Sequence, residues 1–263
     1  MDSPSGSELQ AVKAPASETL STPRAVTLLT VVHGWQADAE RWLLSVFTHC
    51  KADFEALIVD NSDDARIANW LERGAAERLR FIPLFPTLGF AAAVNAGIEA
   101  AAGEVVVLFD PGVKLIGDAV TPLIEALADP SVVVAGPFGV RGAGTIKEFE
   151  PSLGPEVDAI EGYCMAFRRS DALAVGGFDP KFRFYRIADI EFSFRLRDHG
   201  RGRAGRTSLG GSALAVPHLP VEKHEHRLWE WTEPAERERL SRRNFYRFLD
   251  RWGKRDDLLV GAT

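Results

Sequence analysis

The strongest constraint on this chain is an alternation running from Val26 to Ala135. Short apolar or β-branched runs, each closed by turn-forming residues, are separated by stretches with helical spacing. Val26–Val32 ends at His33-Gly34, and Phe54–Val59 ends at Asp60-Asn61-Ser62-Asp63-Asp64. Leu79–Leu84 is a third run; Glu104–Phe109 stops at Asp110-Pro111-Gly112, and Val132–Ala135 is the fifth. Between them, Trp42, Leu43, Val46, Phe47 and Cys50 share a helical face, as do Ile67, Trp70 and Leu71. Ala91–Ala102 forms a helix that stops at Gly103, and another helix covers Ile116–Ala128. Strands alternating with helices predict an α/β fold with a mostly parallel central sheet flanked by helices. Ligands bind such sheets beyond the carboxyl ends of the strands. Asp60 and Asp110 each follow a strand directly, so two carboxylates are expected on one rim.

The second half is less regular. Ala159–Phe167 reads as a strand and Ser170–Val175 as a short helix. In Asp189–Leu196 the apolar residues Ile190, Phe192, Phe194 and Leu196 alternate as in a strand, yet they also form i,i+4 pairs as in a helix. Local pattern leaves both open. Ala213–Val216 reads as a strand, and Pro234–Trp252 as a C-terminal helix. Residues 1–22 contain too few large apolar side chains to offset the entropy of ordering, and a disordered tail is expected there.

Of the 263 residues, 46% are hydrophobic and 26% charged, the balance of a globular protein. No apolar run reaches the ~20 residues that span a bilayer, and no signal-peptide layout is present. A cytoplasmic location is expected, with at most peripheral membrane contact. The net charge of -6 argues against a nucleic-acid partner. Cys50 and Cys164 lack neighbours at metal-ligand spacing and read as buried thiols. There is no Walker loop, no G-x-S-x-G and no Rossmann glycine fingerprint.

Four segments in order resemble the family 2 glycosyltransferases, which have the GT-A fold. They are Leu57–Ser62; Leu88–Gly97, close to N-x-G-F-A-x-A-x-N-x-G; Gly162–Arg169 running on to Val175–Asp179; and Asp189–Arg197, like E-D-x-D-L-x-x-R-x-R. The resemblance implies a GT-A catalytic domain over residues 23–218 with a C-terminal helical extension over 219–263, and it favours helix for Asp189–Leu196. It implies an inverting transfer of sugar from a UDP-, dTDP- or GDP-sugar to a hydroxyl acceptor. The Leu88-Gly89-Phe90 stretch is similar to transferases of bacterial polysaccharide and glycolipid synthesis, rhamnosyltransferases among them.

By the same resemblance, Asp189 is the catalytic base. A carboxylate at a helix start can take the acceptor's proton; for an isolated Asp the N-cap is the better reading, and the motif match outweighs it. Asp60 binds the nucleotide base or closes an Asx turn. Gly89 and Asn95 line the donor side, Asn95 being equally readable as a satisfied amide. Glu191 and Tyr163 face the acceptor, with pairing of Glu191 to Arg195 as the alternative; Trp35 and Tyr185 are further candidates to stack on sugar. Asp110, with His218, is implied to hold Mn²⁺ or Mg²⁺ at the diphosphate. The second carboxylate of the family's D-x-D is replaced by Gly112, and Ala188 stands where an acid is common. Basic side chains such as Lys114 are the alternative counter-charge. The glycine-rich stretch 201–212 reads as a mobile loop. The rival reading is a nucleotide-sugar-binding protein without turnover.

Overall fold

The computed structural model describes residues 25–62, 67, 69–70, 77–203, 211–224 and 226–262. The expected tail at 1–22, most of the glycine-rich loop and most of the helix around Ile67 lie outside the described residues. Strand β1 (Val26–Val32) leads into α1 (Gln36–His49), followed by β2 (Phe54–Asp60) and β3 (Leu79–Pro83). Then come α2 (Phe90–Ala100), β4 (Val105–Phe109), β5 (Val113–Leu115), α3 (Val120–Ala128) and β6 (Val132–Gly136). Four short strands, β7 (Gly139–Gly142), β8 (Phe149–Ser152), β9 (Glu156–Val157) and β10 (Ala159–Ile160), precede β11 (Cys164–Arg168) and α4 (Arg169–Ala174). The chain continues through α5 (Ala188–Arg203), β12 (Ser212–Ala215), β13 (Val221–Lys223), α6 (Arg227–Glu230) and α7 (Pro234–Trp252).

Eight strands form the central sheet in the order β3-β2-β1-β4-β11-β6-β12-β9. The pairs β1/β2, β2/β3, β1/β4 and β6/β12 are parallel, while β11 runs antiparallel between β4 and β6. All seven residues of β1 and of β2 are buried, as expected of strands covered on both faces. Alternate residues serve opposite cores. Leu29, Val31, Leu57 and Val59 pack with Val94, Ile98, Phe192 and Phe248. Val26, Leu28, Ala56 and Ile58 pack with Trp42, Val46 and Leu123. Cys164 is buried and Cys50 half-buried, both as free thiols.

Two expectations change. The strand expected over Ala159–Phe167 is two strands in two sheets. β10 pairs with β7 in a three-stranded sheet, and β11 begins only after the turn at Glu161-Gly162-Tyr163. The chain needs that turn to leave the small sheet and enter the gap between β4 and β6. The alternating segment Asp189–Leu196 is helix, as the family resemblance implies. It alternates because α5 is apolar on both sides: Phe192 meets Phe167 and Phe178, and Phe194 meets Phe149 and Phe248.

Residues beyond 218 share this core. β13 pairs antiparallel with β5, and Phe248 and Trp252 of α7 are buried with α5. Among the described residues no helix is long and apolar enough to cross a membrane.

Glu55 ties three elements together at the edge of the sheet. Its buried carboxylate accepts from Thr27 Oγ1 of β1 at 2.6 Å, from Arg80 of β3 at 2.8 Å and from the Ala102 N–H behind α2 at 2.6 Å. Removing it strands a charge and two donors. Glu55→Ala is expected to lower unfolding stability by about 3 kcal/mol in denaturant titration; a loss below about 1 kcal/mol contradicts the role of the cluster.

Candidate active site

The rim of the sheet carries the charged groups. Parallel register sets Val32 beside Asp60 and Thr30 beside Phe109, so Asp60, His33 and Asp110 emerge from three adjacent strand ends. Asp60 is buried, and its Oδ1 accepts from Ser62 N–H at 3.1 Å and from Ser62 Oγ at 2.6 Å, an Asx turn. Asn61 accepts from the Leu88 N–H at 2.7 Å and donates to Leu88 O at 2.9 Å, which binds the strand end to the segment before α2. Asp110 forms a second Asx turn, with Gly112 N–H donating to its Oδ1 at 2.8 Å.

A cavity of about 260 Å³ opens beside Asp110. Its walls include His33, Glu161, Tyr163, Asp189, Lys223 and His226. Two of these arrive through the β5–β13 ribbon. Val113 pairs with Lys223, and the next N–H, of His224, donates to Gly112 O at 2.8 Å. That register carries His226 over Asp110, where Nε2 lies 3.0 Å from Oδ2. Tyr185 stacks on the imidazole with centroids 3.7 Å apart. The segment is held to α1 by Arg227–Asp38 at 2.8 Å and to the residue before that helix by Trp231 against Trp35, ring centroids 5.8 Å apart.

Asp189 enters from α5, whose register is set by a polar stripe. Asp189, Ser193 and Arg197 lie four residues apart, facing Gly162, Ile160 and Asp158, which lie two apart. Gly162 N–H donates to Asp189 Oδ2 at 2.9 Å, Ile160 N–H to Ser193 Oγ at 3.2 Å, and Arg197 to Asp158 O at 3.0 Å. The match is metric. Four helical residues rise ~6 Å and two extended residues ~6.6 Å. Gly162 also allows the close approach, since a Cβ there would lie 3.0 Å from Asp189 Cβ. Asn244 of α7 donates to Phe184 O and Arg186 O, 2.9 Å each, and fixes the turn that leads into α5.

Burial shapes the titration of these groups. It raises Asp189 above the usual carboxylate range, against the backbone N–H groups of Gly162, Ile190 and Asp189 itself and the charge of Arg186, which pull down. Burial also raises Glu161, opposed mainly by Lys223. Burial lowers His33 to about 4 despite the nearby Asp110, so its ring is neutral at pH 7. Lys223 lies 4.4 Å over the Tyr163 ring and 3.6 Å from Glu161, a positive charge aimed at the cavity.

Of the residues singled out from sequence, Asp110, Asp189, Tyr163, Trp35 and Tyr185 line this cavity. Asp60 stands on the same rim, two strands away. His218 is exposed with φ 64°, and the histidine at Asp110 is His226 instead. Glu191 faces away from the cavity and pairs with Arg195 at 3.1 Å and Arg251 at 3.3 Å. Asn95 is a satisfied amide: its Nδ2 donates to Phe178 O and its Oδ1 accepts from Phe178 N–H, both at 2.8 Å. Gly89 is fitted to Arg183, whose Cβ would lie 2.8 Å from an added Cβ. Lys114 pairs with Glu222 at the exposed face of the ribbon. His33, Glu161, Lys223 and His226 also line the cavity, and no motif in the sequence gives them a role there. The available signal for the last was the His224-Glu225-His226 run, but its place over Asp110 depends on the β5–β13 ribbon.

Among the described residues no group of three His, Cys, Asp or Glu side chains forms a metal cluster. Asp110 and His226 do fit a divalent cation that completes its shell with phosphate oxygens and water, because Mg²⁺ and similar ions need only one or two protein ligands in such sites. Their 3.0 Å separation also matches two neighbouring ligands at ~2.1 Å from one ion. Among the described residues, His226 Nδ1 and His33 Nε2 are buried and have no hydrogen-bond partner.

The sequence profile of Glycosyl transferase family 2 matches residues 29–192, more than half of the chain. The chain belongs to this family. Its fold is the GT-A fold. GalNAc-T7, in a crystal structure with UDP, GalNAc and Mn²⁺, is similar at TM-score 0.70 and 16% identity over 90% of this chain and 49% of that one. The mannosyltransferase PcManGT of Pyrobaculum calidifontis, in complex with GDP-Man and Mn²⁺, is similar at TM-score 0.57 and 18% identity, covering 82% of this chain and 62% of that one. The chain thus spans about half to three-fifths of these structures. Comparison with curated protein sequences gives no match. The family match ends at Phe192, so Lys223 and His226 lie beyond it.

The Asn95 clamp holds Phe178, which stacks on Phe192 at 4.0 Å and lines the cavity. Asn95→Ala leaves a backbone donor and acceptor of Phe178 unpaired. It is expected to lower thermal stability by about 2 kcal/mol; unchanged melting contradicts the clamp.

Proposed function

We propose that this family 2 glycosyltransferase transfers a sugar with inversion from a nucleotide-diphosphate donor to a hydroxyl acceptor, with Asp189 as base. The carrying observation is the position of the Asp189 carboxylate, fixed by Gly162 and raised in pKa, in one cavity with Asp110 and Lys223. A raised pKa makes the carboxylate a better proton acceptor in its ionised form. Gly162 N–H holds Oδ2 at 2.9 Å and Ile190 N–H holds Oδ1 at 2.9 Å, so the carboxylate is fixed in place at the cavity wall, and its remaining lone pairs would accept from the acceptor hydroxyl.

The donor would lie along the rim, with Asp60 accepting from the nucleotide base and Asp110 at the diphosphate. Lys223 and Arg186 counter the negative charge that grows on the departing diphosphate. Asp110 and His226 would hold the divalent metal, which when bound supplies further charge neutralisation there. Two solved GT-A neighbours that contain a nucleotide and Mn²⁺ support both the donor class and the metal. The resemblance to polysaccharide and glycolipid transferases supports a role in glycoconjugate synthesis.

The second reading, binding without turnover, is favoured by Gly112, Ala188 and the direct contact of His226 with Asp110. Incubation with a panel of UDP-, GDP- and dTDP-sugars separates the two. Transfer or donor hydrolysis is expected, reduced about 10²–10⁴-fold in Asp189→Asn with donor binding retained. Turnover surviving in Asp189→Asn rules out the base assignment, and binding without any turnover supports the second reading. For the metal, Asp110→Asn and His226→Ala are each expected to weaken Mn²⁺-dependent nucleotide binding at least tenfold, with His218→Ala unchanged. The reverse order of the two histidines contradicts the assignment of His226.

A further inference from the structure

We propose that the acceptor carries a phosphoryl group, bound in a groove between the Arg186-Ile187 turn and α7. This rests on the transferase reading above and names the acceptor's chemical class. The groove, about 510 Å³, is lined by Arg186, Trp229, Arg237, Ser241, Arg242 and Phe245, with Glu238 at its edge. It shares Arg186 and Trp229 with the Asp189 cavity, so the two spaces meet across one wall.

The groove gathers three guanidinium groups, of Arg186, Arg237 and Arg242, against the one carboxylate of Glu238. The guanidinium of Arg186 lies 5.4 Å from the Trp229 ring centroid and that of Arg237 lies 4.8 Å from it. Among the described residues neither has a carboxylate within ion-pair distance, whereas Arg242 pairs with Glu238. Like charges drawn to one indole repel each other, and cation–π contact offsets this only in part. Stacking holds both planar forks in place with their N–H edges free to take up oxygens bidentately.

Ser241 adds a neutral donor. Its Oγ is buried and has no hydrogen-bond partner among the described residues, although a helical serine ordinarily bonds back to a carbonyl one turn earlier. Two guanidinium groups with no carboxylate at ion-pair distance among the described residues, and a hydroxyl donor beside them, suit the several oxygens of a phosphate or diphosphate. An acceptor anchored there would lay its adjoining hydroxyl across the Arg186–Trp229 wall toward Asp189.

The test is calorimetric titration of the whole protein with inorganic pyrophosphate in chelator, which removes metal-dependent binding at Asp110. An R237Q/R242Q double variant is expected to bind pyrophosphate at least tenfold more weakly. Ser241→Ala, which removes one oxygen and no charge, is expected to weaken it several-fold and decides the matter if the double variant fails to fold. Unchanged affinity in these variants overturns the proposal. Two further probes distinguish the source of the phosphoryl group. Cosedimentation with phosphatidylglycerol vesicles, lost in the double variant, assigns it to a lipid. Binding of glucose 1-phosphate without vesicle binding assigns it to a soluble acceptor, and binding of neither overturns the proposal. UDP or GDP binding with Mn²⁺ reports the donor reading separately, so its failure is distinguishable from failure of the groove.

Discussion

The polar stripe on α5 is the interaction on which the site depends. Arg197 is fully buried and answers Asp158 at 3.2 Å, while its Nε donates to Gly211 O. Asp158 in turn accepts from Gly142 N–H and Val260 N–H. One buried ion pair therefore joins α5, the small sheet, the entry to β12 and the C-terminal segment. Its removal from water is expensive, and the surrounding hydrogen bonds are what make the pair tolerable. Because Arg197 and Ser193 fix the rotation of α5, Asp189 meets Gly162 without freedom to turn away.

The opposite wall is built by the last part of the chain. A three-residue ladder between β5 and β13 places Lys223 and His226, while α7 holds the Phe184–Arg186 turn through Asn244. The core shared by α5 and α7 makes that turn and Asp189 one mechanical unit. The acidic rim of the sheet is common to the family match; the histidine and lysine that face it come from beyond that match. Asp110, followed by Pro111-Gly112, is therefore partnered from the C-terminal side, by His226.

Much of this was legible in the sequence, for reasons visible in particular residues. The β-branched runs of β1, β2 and β4 and their polar stops reveal the sheet and its rim, because period and turn chemistry are local. Tertiary placement is not local. Ile190 to Leu196 alternates like a strand because α5 is buried on two faces, and only the ordered family segments favour helix there. The Ala159–Phe167 run hides a change of sheet at Gly162, a residue whose missing side chain admits Asp189. Asn95 and Glu191 belong to the family pattern, yet they spend their polar groups on Phe178 and on Arg195 and Arg251. His226 escaped because nothing in a single sequence announces that Val113 will pair with Lys223.

Asp189 as a base of raised pKa is the central claim, and the pH dependence of donor turnover tests it most directly. A protonated carboxyl cannot accept the acceptor's proton, so activity must be low below its folded pKa and rise as pH passes through it. Burial shifts that rise above the ordinary carboxylate range. An acid limb in kcat/KM lying above the ordinary carboxylate pKa in the wild type and absent from the residual rate of Asp189→Asn is the predicted result. The same limb persisting unchanged in Asp189→Asn would contradict the account.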